Sequence, residues 1–136
     1  NMIEVKGLDH IVLRTSNIKD MLHFYRDILH CPIERELPEL GLTQLRAGSA
    51  IIDLVCVDST LGKLGGKEPS QNGRNVDHFC LQIAPLEENA LLNYLDQCGL
   101  TYQPFAERYG AQGFGRSIYI HDPEGNVVEL KAQILT

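Results

Sequence analysis

Side chains alternate between two faces along several short stretches of this chain, and two longer stretches repeat apolar residues at helical spacing. Alternation predicts strands at about 7–15, 33–37, 42–47 and 50–57, and again at about 76–84, 101–106, 116–120 and 126–132. Apolar residues recur every three or four positions over 17–30 and 86–98, which predicts a helix in each stretch. The order strand, helix, three strands therefore occurs twice.

Local signals mark the ends of these elements. Ser16 or Asn17 can cap the first helix, Pro32 cannot continue it, and Gly99 suits the position just after the second helix. Residues 58–75 lack an apolar period and are rich in Gly, Lys, Ser, Asn and Pro, so we predict a connector between the two halves. Long loops are often functional, and we expect this connector to overhang the site.

The two halves also share sequence. Leu8–Leu13 is echoed by Val76–Leu81, and Ile51–Leu54 is echoed by Val127–Leu130. Each copy starts on a strand that carries a histidine and finishes on a strand that carries an acid. A repeated unit usually docks on its neighbour to bury its apolar face. We therefore predict an α+β domain over 3–136, made of module one (about 7–57), the connector (58–75) and module two (76–132).

Four ionisable residues occupy matched positions in the copies. His10, Asp53, His78 and Glu129 fall on the strand faces opposite the apolar ones. A charged group in an apolar strand is costly unless it is paired or bound to a metal ion. Each residue alone has a more ordinary explanation as a hydrogen-bonded or solvated group, but their symmetry predicts a divalent-metal site with His10, His78 and Glu129 as ligands.

Asp53 has three possible roles. Its carboxylate is one methylene shorter than that of Glu129, so it is a fourth ligand, an acid that supports a ligand, or a general base. The other histidines, His23, His30 and His121, are interpreted as surface or local hydrogen-bonding groups.

Composition narrows the class of protein. The net charge is −6 and no Lys/Arg cluster is present, which argues against a nucleic-acid partner. No apolar stretch approaches the roughly 18 residues that span a bilayer, and no secretory signal opens the chain. The four cysteines are widely spaced without a CxxC pair, as expected for free thiols in a reducing compartment. We expect a cytoplasmic protein that binds a small molecule.

The combined motifs resemble one superfamily from Leu8 to Lys131. They are Leu-Asp-His10-Ile-Val-Leu, Phe24-Tyr25-x-x-x-Leu29, Val-Asp-His78-Phe, and Asp122-Pro123-x-Gly125-Asn126-x-x-Glu129-Leu130. They are similar to the vicinal oxygen chelate superfamily, which includes glyoxalase I, extradiol dioxygenases, and fosfomycin- and bleomycin-resistance proteins. The resemblance implies two βαβββ modules whose mixed sheets curve around a central metal-binding cup. It implies His10, His78 and Glu129 as ligands, with Asp53 at a fourth position where glyoxalase-I-like members usually have Glu.

The resemblance also implies a range of functions. The first is a lyase or isomerase similar to lactoylglutathione lyase, using nickel, zinc, manganese or iron(II), with Glu129 or Asp53 moving a proton. The second is an iron(II) extradiol-type dioxygenase. A third is thiol transfer to an antibiotic, which needs a basic anion pocket; the candidate cations are Arg14, Arg108, Arg116 and Lys131. The last is a non-enzymatic drug-binding protein. Relatives are commonly dimers, so we expect a homodimer.

Residues 109–115 precede the penultimate predicted strand and are rich in glycine. They look like a substrate-side loop of glyoxalase-like proteins, or simply a mobile glycine-rich loop.

Overall fold

The structure, a computed structural model, describes residues 2–135; Thr136, the last residue of the predicted domain, lies outside this range. Its strands are β1 (His10–Thr15), β2 (Ile33–Leu37), β3 (Leu42–Ala47), β4 (Ala50–Cys56), β5 (His78–Ile83), β6 (Ala106–Gly110), β7 (Gly113–His121) and β8 (Val127–Ala132). Its helices are α1 (Ile18–Leu22), which continues as a π-helical stretch over His23–Ile28, α2 (Thr60–Lys63) and α3 (Glu88–Gln97), with a 3₁₀ turn at Pro38–Leu40. This order confirms the α+β class and the two βαβββ modules.

Both modules form a four-stranded mixed sheet with the same topology. The strand orders are β1-β4-β3-β2 in module one and β5-β8-β7-β6 in module two. The first and last strands of each module pair in parallel, and the other pairs are antiparallel. The chain divides into two compact units: the first runs through Asn75 and includes the connector, and the second begins at Val76. No helix within residues 2–135 has the length and apolar character needed to cross a membrane.

One face of each sheet is apolar and buried, as the alternation predicts. In module one, Leu13, Leu45 and Leu54 are fully buried, and the first helix adds the buried residues Met21 and Tyr25. In module two the buried residues are Ile118, Ile120, Val128 and Leu130 from the strands, with Leu91 and Leu95 from α3. Burial of apolar surface stabilises each module by roughly 1.5–3 kcal/mol per large side chain. The opposite faces are therefore left for polar groups.

The predicted helix ends are observed. The side chain of Asn17 accepts a hydrogen bond from the backbone N–H of Asp20 at 3.4 Å, so Asn17 is the cap. Gly99 adopts a left-handed conformation (φ 72°) just after α3, where a residue without Cβ is least strained. The first helix differs from the prediction in its second half, which is π-helical and therefore wider than an α-helix.

The predicted strand at 101–106 and the predicted loop at 109–115 are wrong. Tyr102 makes only an isolated bridge to Ile120, and β6 and β7 form a hairpin in which Gly110 pairs with Gly113. The glycines hid the strands because they interrupt the alternation of side chains. Gly113 adopts a positive φ (96°) that favours glycine, and a Cβ at Gly110 or Gly115 would lie only 3.3 or 3.0 Å from the Lys131 side chain.

The turn between β7 and β8 is held by one aspartate. Asp122 Oδ1 accepts from the backbone N–H groups of Glu124 and Asn126, both at 2.9 Å, and its Oδ2 accepts from the Asn126 side chain at 2.9 Å. Gly125 takes the left-handed conformation (φ 83°) that this turn requires. The turn fixes the start of β8, the strand that carries Glu129.

Candidate functional site

Module two brings two of the predicted ligands together. His78 opens β5, and Glu129 on β8 lies opposite Cys80, two residues farther along the parallel strand. His78 Nε2 lies 3.7 Å from Glu129 Oε1. Nitrogen and oxygen ligands bind a divalent ion at about 2.1 Å each, so two donors up to about 4.2 Å apart can share one ion. At this separation the two side chains could hold one ion between them.

The other ring nitrogen of each histidine is held by the preceding aspartate. His78 Nδ1 lies 2.7 Å from Asp77 Oδ2, and His10 Nδ1 lies 2.7 Å from Asp9 Oδ1. A carboxylate on Nδ1 favours the tautomer whose Nε2 lone pair is available, which is the usual arrangement of metal-binding histidines. The Asp-His dipeptide thus leaves the Nε2 lone pair of one histidine available in each module.

The aspartates at 9 and 77 were not among the sequence-predicted site residues. Strict alternation places Asp9 on the face opposite His10, but β1 starts at His10 and β5 at His78. Each aspartate therefore precedes its strand and is free of the alternation rule. The repeated Asp-His dipeptide was the signal that could have identified them.

Module one places its acid beside a different partner. Asp53 is only 6% exposed, and Gln44 Nε2 on β3 donates a hydrogen bond to its Oδ1 at 3.0 Å. His10 lies on the same face of the sheet, where its neighbour on β4 is Ile51. The hydrogen bond that His10 Nδ1 donates to the Asp9 carboxylate holds the pKa of His10 above its ordinary value, and the negative charge of Asp53 adds to this effect against partial desolvation.

Neither module supplies a complete metal site by itself. Across residues 2–135, no three histidine, cysteine, aspartate or glutamate side chains lie close enough together to hold a metal ion. Module one carries the candidate donors His10 and Asp53, and module two carries His78 and Glu129. The chemistry of this donor set, two imidazoles and one or two carboxylates, suits nickel, zinc, manganese or iron(II).

Aromatic and cationic groups surround the module-two pair. The ring of Tyr119, the β7 neighbour of Glu129, meets the His78 ring edge to face at a centroid distance of 5.7 Å. The Arg108 guanidinium lies 4.2 Å from the centroid of the same tyrosine ring. Desolvation of its sulfur and the charge of Glu129 raise the pKa of Cys80 to about 11, against the opposing charge of Lys131. Cys80 is therefore a protonated thiol at neutral pH.

The four cations considered for an anion pocket already have protein partners. Arg116 forms a two-bond salt bridge with Glu88 at 2.8 and 2.9 Å. Arg108 donates to Ser117, and Lys131 donates to the carbonyl of Gly113 at 3.1 Å. Arg14 donates to backbone carbonyls of the connector. These contacts weaken the case for an anion-binding pocket built from these residues.

A cavity of about 390 Å³ lies on the open face of module one. Asp53 lines it together with apolar side chains of the sheet and of the connector. Leu61, Leu64 and Gly65 of the connector thus line the same cavity as Asp53.

Comparison with known proteins agrees with this architecture. The family model of the Glyoxalase/Bleomycin resistance protein/Dioxygenase superfamily matches residues 7–130. An integron cassette protein from V. cholerae superimposes with a TM-score of 0.78 at 24% identity, covering 98% of this chain and 100% of that one. No curated protein matches the chain.

Two structures with named functions are also similar. The genomically encoded fosfomycin resistance protein of Listeria monocytogenes is 25% identical, with a TM-score of 0.66 and 97% of each chain covered. Lactoylglutathione lyase from Agrobacterium tumefaciens is 19% identical, with a TM-score of 0.67 and 94% of each chain covered, a likeness of fold alone.

Proposed function

Since this chain belongs to the Glyoxalase/Bleomycin resistance protein/Dioxygenase superfamily, we propose that it is a divalent-metal-dependent lyase or isomerase of the glyoxalase type. Its substrate is a small molecule that presents two adjacent oxygens. The observation that carries the proposal is the contact of His78 Nε2 with Glu129 Oε1 at 3.7 Å, with Nδ1 held by Asp77 and the same Asp-His pair repeated in module one. This arrangement is typical of imidazoles prepared for a metal ion.

In this proposal His10, His78 and Glu129 hold nickel, zinc, manganese or iron(II). The bound ion supplies Lewis-acid stabilisation of the negative charge that develops on a substrate oxygen. Asp9 and Asp77 fix the orientation of the two imidazole rings. Gln44 orients the buried carboxylate of Asp53, which takes a proton from the carbon next to the polarised carbonyl and returns it to the product. Glu129 is the second candidate for this proton transfer.

Metal analysis tests the ligand assignment. Protein purified without chelator and reconstituted with nickel, manganese or iron(II) is expected to bind about one equivalent of ion. His78→Ala should reduce this to below about a tenth of an equivalent while the circular dichroism spectrum is unchanged. His23→Ala is the matched control, because His23 is exposed and its Nδ1 also faces an aspartate, Asp27, at 3.4 Å. Stoichiometric metal in His78→Ala would contradict the assignment.

A substrate panel then tests the reaction. The metal-loaded protein is assayed with the methylglyoxal–glutathione adduct and with other small α-hydroxycarbonyl compounds, following product by absorbance. Turnover that depends on the added metal and falls in Asp53→Asn supports the proposal. Metal-loaded protein that turns over none of these compounds but cleaves a catechol would replace it with the alternative below.

One observation favours an iron(II) extradiol-type dioxygenase as a second candidate. Gln44 holds the Asp53 carboxylate, and two histidines with Glu129 alone would form the two-His-one-carboxylate set that suits iron(II) and dioxygen. Oxygen consumption by the iron(II)-loaded protein in the presence of catechol distinguishes the two candidates. Thiol transfer to an antibiotic draws less support, because its candidate cations are engaged within the protein.

We also propose that residues 3–136 act as a single domain, as a homodimer in the cytoplasm, with a small molecule rather than nucleic acid as partner. Light scattering coupled to size-exclusion chromatography measures the oligomeric state directly. A mass equal to one chain across a range of protein concentrations would contradict the dimer.

A further inference from the structure

The cavity on module one is walled by two parts of the chain. Val12, Leu42 and Val55 line it from the sheet, and Leu61 and Leu64 line it from the connector. Its volume, about 390 Å³, lies within the range of small-molecule sites, roughly 300–1,000 Å³. Leu64 is 83% exposed although it lines the cavity, so a ligand there would cover apolar surface that is now in water.

Arg14 fastens the connector over the sheet. Its guanidinium donates to the carbonyl oxygens of Gly62 at 3.1 Å and Gly66 at 2.9 Å, and also to that of Lys67. Its backbone exchanges two hydrogen bonds with the side chain of Asn75 at 2.9 and 3.0 Å. The segment that carries Leu61 and Leu64 is thus tied to β1 at Gly62, and the chain after it is tied to β1 at Gly66, Lys67 and Asn75.

Two glycines allow this close approach. A Cβ at Gly62 would collide with the carbonyl oxygen of Cys56, and a Cβ at Gly65 would collide with the Arg14 side chain. The close packing of the connector against Cys56 and Arg14 therefore fixes the position of this cavity wall.

The charged residues that line the cavity limit the class of ligand that it can bind. Asp53 brings a carboxylate to the cavity, and its partner Gln44 holds one of its oxygens. Arg14, which also lines the cavity, directs its donors to connector carbonyls. The Arg14 charge offsets that of Asp53, but its guanidinium already donates to the connector. An anionic ligand would therefore lose hydration beside the Asp53 carboxylate without a comparable gain, which is unfavourable. A neutral ligand with an O–H or N–H group can instead donate to the carboxylate.

We propose that this cavity binds a neutral, mainly apolar small molecule whose hydroxyl or amine hydrogen bonds to Asp53. The inference rests on the proposed function, in which this molecule is the body of the substrate. It narrows the substrate class to compounds without a carboxylate or phosphonate on the part that enters module one.

Naphthalene derivatives are suitable probes, because the chain contains no tryptophan to interfere with their fluorescence. The three probes are 2-naphthol, 2-naphthoate and 2-methylnaphthalene, titrated into chelator-treated protein. We expect 2-naphthol to bind and 2-naphthoate to bind at least about tenfold more weakly. The hydrocarbon, which has no donor, should lie between them. Equal binding of all three, or tighter binding of the carboxylate, would overturn the proposal.

Variants locate the binding. Val12→Phe fills the cavity from the half-exposed face of β1 and should abolish naphthol binding. Val5→Phe is the matched control, because Val5 is exposed and does not line the cavity. Asp53→Asn should reduce the preference for naphthol over naphthoate to less than about threefold. Unchanged binding in Val12→Phe, with a wild-type circular dichroism spectrum, would overturn the site.

The metal measurement separates this inference from the proposed function. If the wild-type protein takes up metal through His78 but binds no naphthol, the cavity assignment fails and the metal-dependent function stands. If naphthol binds as described but no metal is taken up, the function fails and the cavity assignment stands.

Discussion

The open faces of the two modules are copies in backbone register and differ in their side chains. In each module the acid lies opposite the residue two positions after the histidine: Asp53 opposite Val12, and Glu129 opposite Cys80. The next strand then places Gln44 beside Asp53 and Tyr119 beside Glu129. One duplicated framework therefore carries two chemically distinct faces.

Small differences in side-chain length and neighbours thus give the two modules different chemical properties on the same backbone framework. Glu129, one methylene longer, extends to within 3.7 Å of the His78 ring. The shorter Asp53 is engaged by the amide of Gln44 and lines an apolar cavity. We infer that module two supplies two of the proposed ligands, His78 and Glu129, whereas module one adds His10 and lines the cavity proposed for the substrate.

Removing each carboxylate's charge tests this division most strongly. Glu129→Gln should lower metal uptake to below about a tenth of an equivalent, because an amide oxygen is a much weaker ligand than a carboxylate. Asp53→Asn should keep more than about half an equivalent while turnover falls. Both are near-isosteric, so each serves as the control for the other in metal analysis and assay. Loss of metal to the same extent in both variants would place Asp53 among the ligands and erase the division.

The aspartates before the histidines should have smaller effects that are similar in the two modules. Asp77→Asn and Asp9→Asn keep the shape of the side chain but remove the charge that faces Nδ1. Each is expected to weaken metal affinity about 10- to 100-fold, the usual cost of losing such a partner. Isothermal titration with zinc measures it. An unchanged affinity in either variant would show that its aspartate does not orient the ring.

Much of this architecture could be predicted from the chain. The repeat, the two helices and the buried faces follow from periodicity, because burial of one side of a strand or helix leaves a pattern in sequence. His78 and Glu129, which meet in module two, could be singled out because they belong to the matched motifs; the parallel pairing that brings them together is seen in the structure.

The loop prediction that was wrong and the site residues that were missed share a physical cause. Glycines at 110, 113 and 115 signalled a loop, whereas two of these positions, 110 and 115, make room for the Lys131 side chain within a hairpin. Gln44 and Tyr119 carried no signal, because their roles arise from neighbours on adjacent strands. Such contacts depend on register across the sheet, which a single sequence does not state.

The Gln44–Asp53 contact should be measurable as stability. Gln44→Leu removes the donor and leaves a buried carboxylate oxygen without it, which should lower the free energy of unfolding by about 1–3 kcal/mol. Urea denaturation followed by circular dichroism gives this difference. The double variant Gln44→Leu/Asp53→Leu should recover most of the lost stability, because replacing both partners of a buried hydrogen bond by apolar groups is nearly neutral. A single variant as stable as the wild type would show that Gln44 does not satisfy Asp53.

The stacked cation of module two should give the smallest effect. Arg108→Met keeps an apolar stem over Tyr119 but removes the guanidinium and its hydrogen bonds to the buried Ser117, so the free energy of unfolding should fall by about 1–2 kcal/mol. Arg35→Met is the matched change in module one, where the exposed Arg35 makes only a 3.4 Å contact with Gln44, and stability there should change by less than about 0.5 kcal/mol. Urea denaturation compares the two variants. Equal losses would mean that the contacts of Arg108 with Tyr119 and Ser117 add no more to stability than the single contact of Arg35 does, and that the two faces differ in chemistry alone.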